Sequence, residues 1–232
     1  MDLDGDGVET TALNNSKIYF DHDNNGYAEK TGWAGKDDGF LVIDKNNNNS
    51  IDNGLEMFGN NTSSSAANGF IALKDYDSNN DGIINFFDKN FEKLKIWQDK
   101  NGDGISTSDE LVSLATAGIT SINVKDKQTV NEKVSGGTIK EQTTFTKSDG
   151  TTSKVADINF TNDGIHSQYI EKVAVSEAIA KLPELKGFGR LADLHQAAMK
   201  SPELATALES YSHLTTRAEQ KVALDNIMTL WA

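Results

Sequence analysis

The sequence predicts an α+β protein, and three patterns along the chain predict it. Two twelve-residue loops rich in Asp, Asn and Gly stand in tandem within residues 67–118, with apolar residues at helix spacing around them. An alternating, threonine-rich stretch follows over residues 119–165, and residues 171–232 carry helix periodicity. The expected architecture is a pair of EF-hand-like loops with short helices, a small antiparallel β-sheet and a C-terminal helical region. The first module is expected to end near residue 170.

The first of the tandem loops reads DSNNDGIINFFD. It places Asp77, Asn79 and Asp81 at positions one, three and five, Gly82 at six, the Ile83 carbonyl at seven, Asn85 at nine and Asp88 at twelve. The second, DKNGDGISTSDE, sets Asp99, Asn101, Asp103, Gly104, Ile105, Thr107 and Glu110 in the same places. A hard cation takes six to eight oxygens, and this alternation turns every second side chain toward one centre. Gly82 and Gly104 permit the sharp turn. Glu110 is long enough to offer both carboxylate oxygens, whereas Asp88 is shorter. These features predict Ca2+ as the bound cofactor. One residue departs from the pattern: the apolar residue expected at position eight is present as Ile84 but replaced by Ser106 in the second loop.

Three looser versions precede this pair. Asp2, Asp4, Asp6 and the Val8 carbonyl begin a loop whose twelfth residue is the apolar Leu13, so its last ligand must be Glu9 or come from elsewhere. After a short strand at 17–20, Asp21, Asp23, Asn25 and the Tyr27 carbonyl match again, with Glu29 at nine and Gly32 at twelve. Asp37 and Asp38 are candidates to close that shell, and Asp38 is the preferred ligand. Beyond a strand at 40–43, the third version offers Asp44, Asn46, Asn48, the Ser50 carbonyl and Asp52. There Asn49 stands for the glycine, and the closing acid, Glu56, arrives one residue late. Each of these loops also reads as a plain acidic turn; their recurrence before apolar segments favours ligands.

Elsewhere the pattern is structural. Residues 59–68 read as a polar loop, and residues 69–76 as the helix entering the first full loop. Phe87, Phe91, Leu94 and Trp97 recur at helix steps and predict one face of a helix shared by the two loops. Leu111, Leu114 and Ala115 predict an exit helix capped by Gly118. Residues 119–124, 143–146 and 153–160 read as strands, with residues 129–138 a weaker candidate and Asp149–Gly150 a hairpin turn. In the tail, residues 173–182 form a packed segment, Leu191, Leu194 and Ala198 a helix face, and Ser201–Pro202 a helix start. Thr215 or Thr216 begins the last helix, with Val222, Leu224, Ile227 and Leu230 toward a partner.

The formal net charge is −13, and residues 1–110 hold 21 acidic against 9 basic side chains, which concentrates the charge where the loops lie. Such a balance argues against nucleic acid as a partner. No run of apolar residues suits a membrane span, and residues 1–232 are expected to lack a signal peptide. Without cysteine there is no disulfide or thiolate chemistry. The four histidines show no zinc spacing, and neither a nucleophile elbow nor a phosphate loop occurs.

The order DLDGDGVET, FDHDNNGYAEKTGW, DDGFLVID, IDNGLEMFGN, DSNNDGIIN and IWQDKNGDGIS resembles the self-processing module of iron-regulated RTX proteins of Gram-negative bacteria, over roughly residues 2–165. LADLHQAA and ALDNIMTLWA resemble the helical segment that follows it in large RTX proteins. The resemblance implies a secreted protein in which calcium folds the module and the folded module promotes cleavage of an upstream Asp-Pro bond. It implies that the scissile aspartate attacks its own carbonyl, and that the resulting anhydride is opened by water or by a lysine of another protein. The two prolines here follow Leu182 and Ser201, so the implied bond lies upstream of Asp2 and no catalytic residue is assigned within the chain. A non-catalytic calcium-dependent structural or adhesion module is the other reading of the same residues.

Overall fold

The computed structural model describes residues 1–63 and 66–232; Ser64 and Ser65, in the expected polar loop, lie outside the described residues. The chain forms two compact units, Met1–Asn25 with Glu29–Asp163, and Gly26–Ala28 with Gly164–Ala232.

The first unit is built from strands. In chain order these are β1 (Thr10–Thr11), β2 (Tyr19–Phe20), β3 (Tyr27–Thr31, its first two residues counted with the second unit), β4 (Trp33–Ala34) and β5 (Phe40–Ile43). After the short helix α1 (Gly69–Leu73) come β6 (Ile83–Asn85), β7 (Leu94–Trp97), β8 (Leu111–Ser113), β9 (Ile119–Asn123), β10 (Gln128–Val134), β11 (Gly137–Lys147) and β12 (Thr152–Phe160). The largest sheet runs β10-β11-β9-β6, with β12 on the other side of β11. A second sheet, β5-β7-β8, is antiparallel throughout. Between these sheets Ile84, Leu94, Ile96, Ile122 and Phe145 have no exposed surface. Removing one such side chain from water contributes about 1.5–3 kcal/mol. A second cluster of Ile18, Phe20, Trp33, Val42, Ile51 and Trp97 backs the acidic loops.

The α+β expectation is overturned. With β13 (Asn162–Tyr169) the described residues hold thirteen strands in four sheets and only short helices. No pair of helices flanks the tandem loops. The 99–110 loop instead closes a β-hairpin, with Trp97 opposite Leu111, Ile96 opposite Val112 and Lys95 opposite Ser113. The expected shared helix dissolves residue by residue. Phe87 is 70% exposed, Phe91 opens a single 3-10 turn, and Leu94 and Trp97 lie in β7. Apolar residues at steps of three and four fit a helix, but across so short a span they do not exclude a strand. Here pairing with β5 and β8 satisfies the backbone, and the LKIW run buries both of its faces. The expected exit helix is likewise the strand β8 followed by a turn, with Gly118 at φ +71.

The second unit holds the end of β13 and the helices α2 (Glu177–Ala180), α3 (Leu194–Lys200), α4 (Pro202–Ser212) and α5 (Arg217–Trp231). The Ser201 hydroxyl accepts the Leu204 N–H at 3.2 Å with Pro202 in the first turn, and Thr216 caps α5 through the Glu219 N–H. Leu194, Leu204, Leu208, Ile227 and Trp231 form its core. Of the apolar residues expected on the packed face of α5, Ile227 is buried, while Val222 is 72% exposed and Leu224 and Leu230 are partly exposed. Among the described residues no helix is long and apolar enough to cross a membrane.

Candidate functional site

The two full loops share one hydrogen-bond pattern. In the first, Asp77 accepts the Asp81 N–H at 3.1 Å and the Gly82 N–H at 2.9 Å, while Asp88 accepts the N–H of Ser78 at 2.7 Å and of Asn85 at 2.9 Å. In the second, Asp99 accepts from Asp103 at 3.2 Å and Gly104 at 2.9 Å, and Glu110 from Lys100 at 3.1 Å and Thr107 at 3.3 Å. Position one thus gathers the amides of positions five and six, and position twelve those of two and nine. Gly82 and Gly104 sit at φ +87 and +73, a region that costs other residues about 1–2 kcal/mol. In both loops the first and twelfth residues are buried and the third and fifth are exposed. The side chains of Ile83 and Ile105, whose carbonyls fall at position seven, are exposed. The Thr107 hydroxyl meets Glu110 at 3.1 Å, whereas the Asn85 side-chain Oδ1 accepts the Phe87 N–H at 2.9 Å.

The 44–56 loop repeats this pattern despite its altered spelling. Asp44 accepts the N–H of Asn48 at 3.1 Å and of Asn49 at 2.9 Å; Glu56 accepts those of Lys45 and Asp52, each at 2.9 Å. Glu56 therefore fills the twelfth role from one residue further on, and Asn49 takes the glycine's conformation at φ 63. Asn46 and Asn48 both donate to the Asp52 carboxylate, at 2.8 and 2.7 Å. Ser106 finds its reason here. Its hydroxyl accepts the Ile51 N–H at 2.5 Å and meets the Ser50 hydroxyl at 3.1 Å, so position eight of one loop is tied to position eight of the other.

The loop at residue 2 is closed by Asp38, which the spacing had assigned to the next loop. Asp38 accepts the N–H of Leu3 at 3.3 Å and of Glu9 at 2.8 Å, positions two and eight, close to the pair at two and nine that a twelfth residue gathers in the full loops. Ligand atoms of Asp2, Asp4 and Asp38 all lie within 4.8 Å of one another. Asp6 falls outside that group, with its N–H on Asp4 at 3.3 Å. At residue 21, Asp21 accepts the Asn25 N–H at 3.1 Å and is buried with Glu29, while Asp23 and Asn25 are exposed. Tyr27 stands at the start of β3, its ring 5.2 Å from that of Tyr169.

Electrostatics follow the crowding. Burial pushes Asp38 above the usual carboxylate range, only partly offset by the Glu9 N–H. The charge of Asp4 pushes Asp6 up, and the charge of Asp6 pushes Glu9 up. Burial opposes ionisation of Asp88 as well, but the amides of Asn85, Ser78 and Asn79 outweigh it and hold this carboxyl low. Every candidate ligand in these loops is a carboxylate, amide or hydroxyl oxygen or a backbone carbonyl. That set suits a hard divalent cation and offers nothing to a soft one.

Sequence spacing missed the partners that lie far along the chain. The Trp33 indole N–H donates to Asp99 at 2.8 Å, both residues being buried. Neither this bond nor the placement of Asp38 carries a local signal.

A β-rich scaffold presenting a series of oxygen-lined acidic loops defines the class of module, and comparison with known proteins places it. The SPM domain model matches residues 1–161, the first unit running to Asp163, and the chain belongs to this family. It is 44% identical over 237 residues to the iron-regulated protein FrpA of Neisseria meningitidis serogroup C, a match that covers all of this chain and 21% of FrpA. It is thus an Frp-type module, spanning about a fifth of that relative's length.

Proposed function

We propose that the chain is the calcium-folded self-processing module of a secreted RTX protein, acting on an Asp-Pro bond upstream of Asp2. The observation that carries this reading is the cluster of Asp2, Asp4 and Asp38, because it lies where a preceding segment would join the module. Bound calcium would neutralise the crowded carboxylates and favour the ordered state, at the roughly 0.1–1 mM affinities of extracellular modules. Asp38 holds the amides of Leu3 and Glu9 and so fixes the path of the first residues. Orientation is the chief requirement of the reaction. The upstream aspartate's carboxylate oxygen bonds to its own carbonyl carbon, the bond to the proline nitrogen breaks, and that nitrogen leaves protonated. The cyclic anhydride is then hydrolysed, or opened by a lysine amine to give an Asp–Lys isopeptide. No separate nucleophile is needed.

The test uses this chain extended upstream by its native residues, with calcium or with EDTA, and mass spectrometry of the products. Calcium-dependent cleavage after aspartate, with a fraction of the product joined to lysine, is the expected result. A chain that orders on calcium yet stays intact would leave a structural or adhesion module.

A further inference from the structure

The strand β12 has one partner, β11, and among the described residues no strand pairs with its other edge. Val155 to Phe160 line a cavity of about 280 Å³, together with Phe40 and Asn61. The start of the chain already makes the first rung: the Asp2 N–H donates to the Lys154 carbonyl at 2.9 Å. On its other side the Met1 nitrogen donates to the Gly39 carbonyl at 2.7 Å, and Met1 itself lines the cavity. Direction follows from two further contacts. The Leu3 carbonyl accepts the Lys147 ammonium at 2.8 Å, and the Lys147 N–H lies on the Thr151 carbonyl. Going from Leu3 to Met1 the chain therefore advances along β12 from its start toward Phe160, antiparallel to it.

We infer that the residues immediately upstream of Met1 add to β12 as a further antiparallel strand, filling this cavity. Backbone groups alternate between the two edges of a strand, so Ala156 and Ile158 face the same edge as the Lys154 carbonyl. The residue before Met1 falls opposite Ala156, and the residue two places further upstream falls opposite Ile158. An unpaired strand edge beside a cavity is the arrangement that accepts an extended segment. This inference rests on the proposed function for the identity of its occupant, and it assigns β12 as the positioning element for the reacting segment.

The test is amide hydrogen exchange in calcium, comparing this chain with a protein extended by its native upstream residues, whose scissile aspartate is replaced by asparagine to keep it whole. Exchange at Ala156 and Ile158 is expected to slow at least about tenfold in the longer protein. Equal exchange in the two would overturn the inference. Ala156→Pro, in the cleavable longer protein, removes one outward N–H without touching the ladder to β11, and is expected to slow cleavage at least about tenfold with calcium-dependent folding kept. Protection without cleavage would sustain the added strand and sink the self-processing reading. Cleavage without protection would do the reverse.

Discussion

At the residue scale, single polar contacts hold the acidic loops in shape. The Trp33–Asp99 bond joins two buried groups, one of them a carboxyl group. Trp33→Phe keeps much of the ring packing and leaves a carboxylate oxygen short of a donor. It is expected to cost about 1.5–3 kcal/mol in urea-induced unfolding. Asp157 teaches the opposite lesson. Burial raises its carboxyl above the ordinary value of 3.8, with the Gly69 N–H only partly compensating. Its folded state binds a proton more readily than its unfolded state. Its ionisation therefore subtracts stability as pH rises from the unfolded value through the raised one. Asp157→Asn keeps an acceptor for the Gly69 N–H, now at 3.0 Å, and sheds that charge. Thermal melts should show the variant more stable than the parent at pH 7, with the difference closing below pH about 4.

At the element scale, the unit recurring at 44–56, 77–88 and 99–110 is a loop with an acid at each end, each gathering two amides. What flanks it varies: a helix and a 3-10 turn before Asp77, a β-hairpin around Asp99–Glu110. Conformation within the loop is less negotiable. Asn49→Gly should leave stability within a few tenths of a kcal/mol, whereas Asn49→Ala should cost about 1–2 kcal/mol in the same urea titration, since φ 63 suits glycine and asparagine but not alanine. The Ser106–Ile51 bond couples two loops. Ser106→Ala strands a buried N–H, worth about 1–3 kcal/mol. If the proposed calcium sites are those loops, calorimetric titration should also show weaker binding at both 44–56 and 99–110, rather than at one alone.

At the scale of the whole molecule, nearly all the net charge lies in the half that carries the acidic loops. Ligand that binds only the folded state stabilises it by mass action, about 2.7 kcal/mol at a hundredfold excess over Kd. Chelation should therefore loosen the Met1–Asp163 region selectively. Limited proteolysis in EDTA is expected to cut within residues 1–163 first, while the helices from Glu177 to Trp231, whose core contains none of these acids, stay resistant. Uniform digestion of both regions would contradict this.

The acidic loops could be read from sequence because their chemistry is local. Ligand positions alternate within one short segment, so Asp77–Asp88 and Asp99–Glu110 announce themselves by spacing alone, as do the caps at Ser201 and Thr216. The fold class departs from the sequence pattern for the complementary reason. Apolar residues at 87, 91, 94 and 97 fit a helix face, and only pairing of β7 with β5 and β8 decides for strand. Tertiary structure likewise decided which acid closes which loop. Asp38 reaches Leu3 across 35 positions, Ser106 meets Ile51 across 55, and Trp33 meets Asp99 across 66. Sequence by itself determined where carboxylate and amide oxygens cluster, since that depends on neighbours along the chain. Which of them share a site depends on how distant strands pack, and spacing carries no record of that.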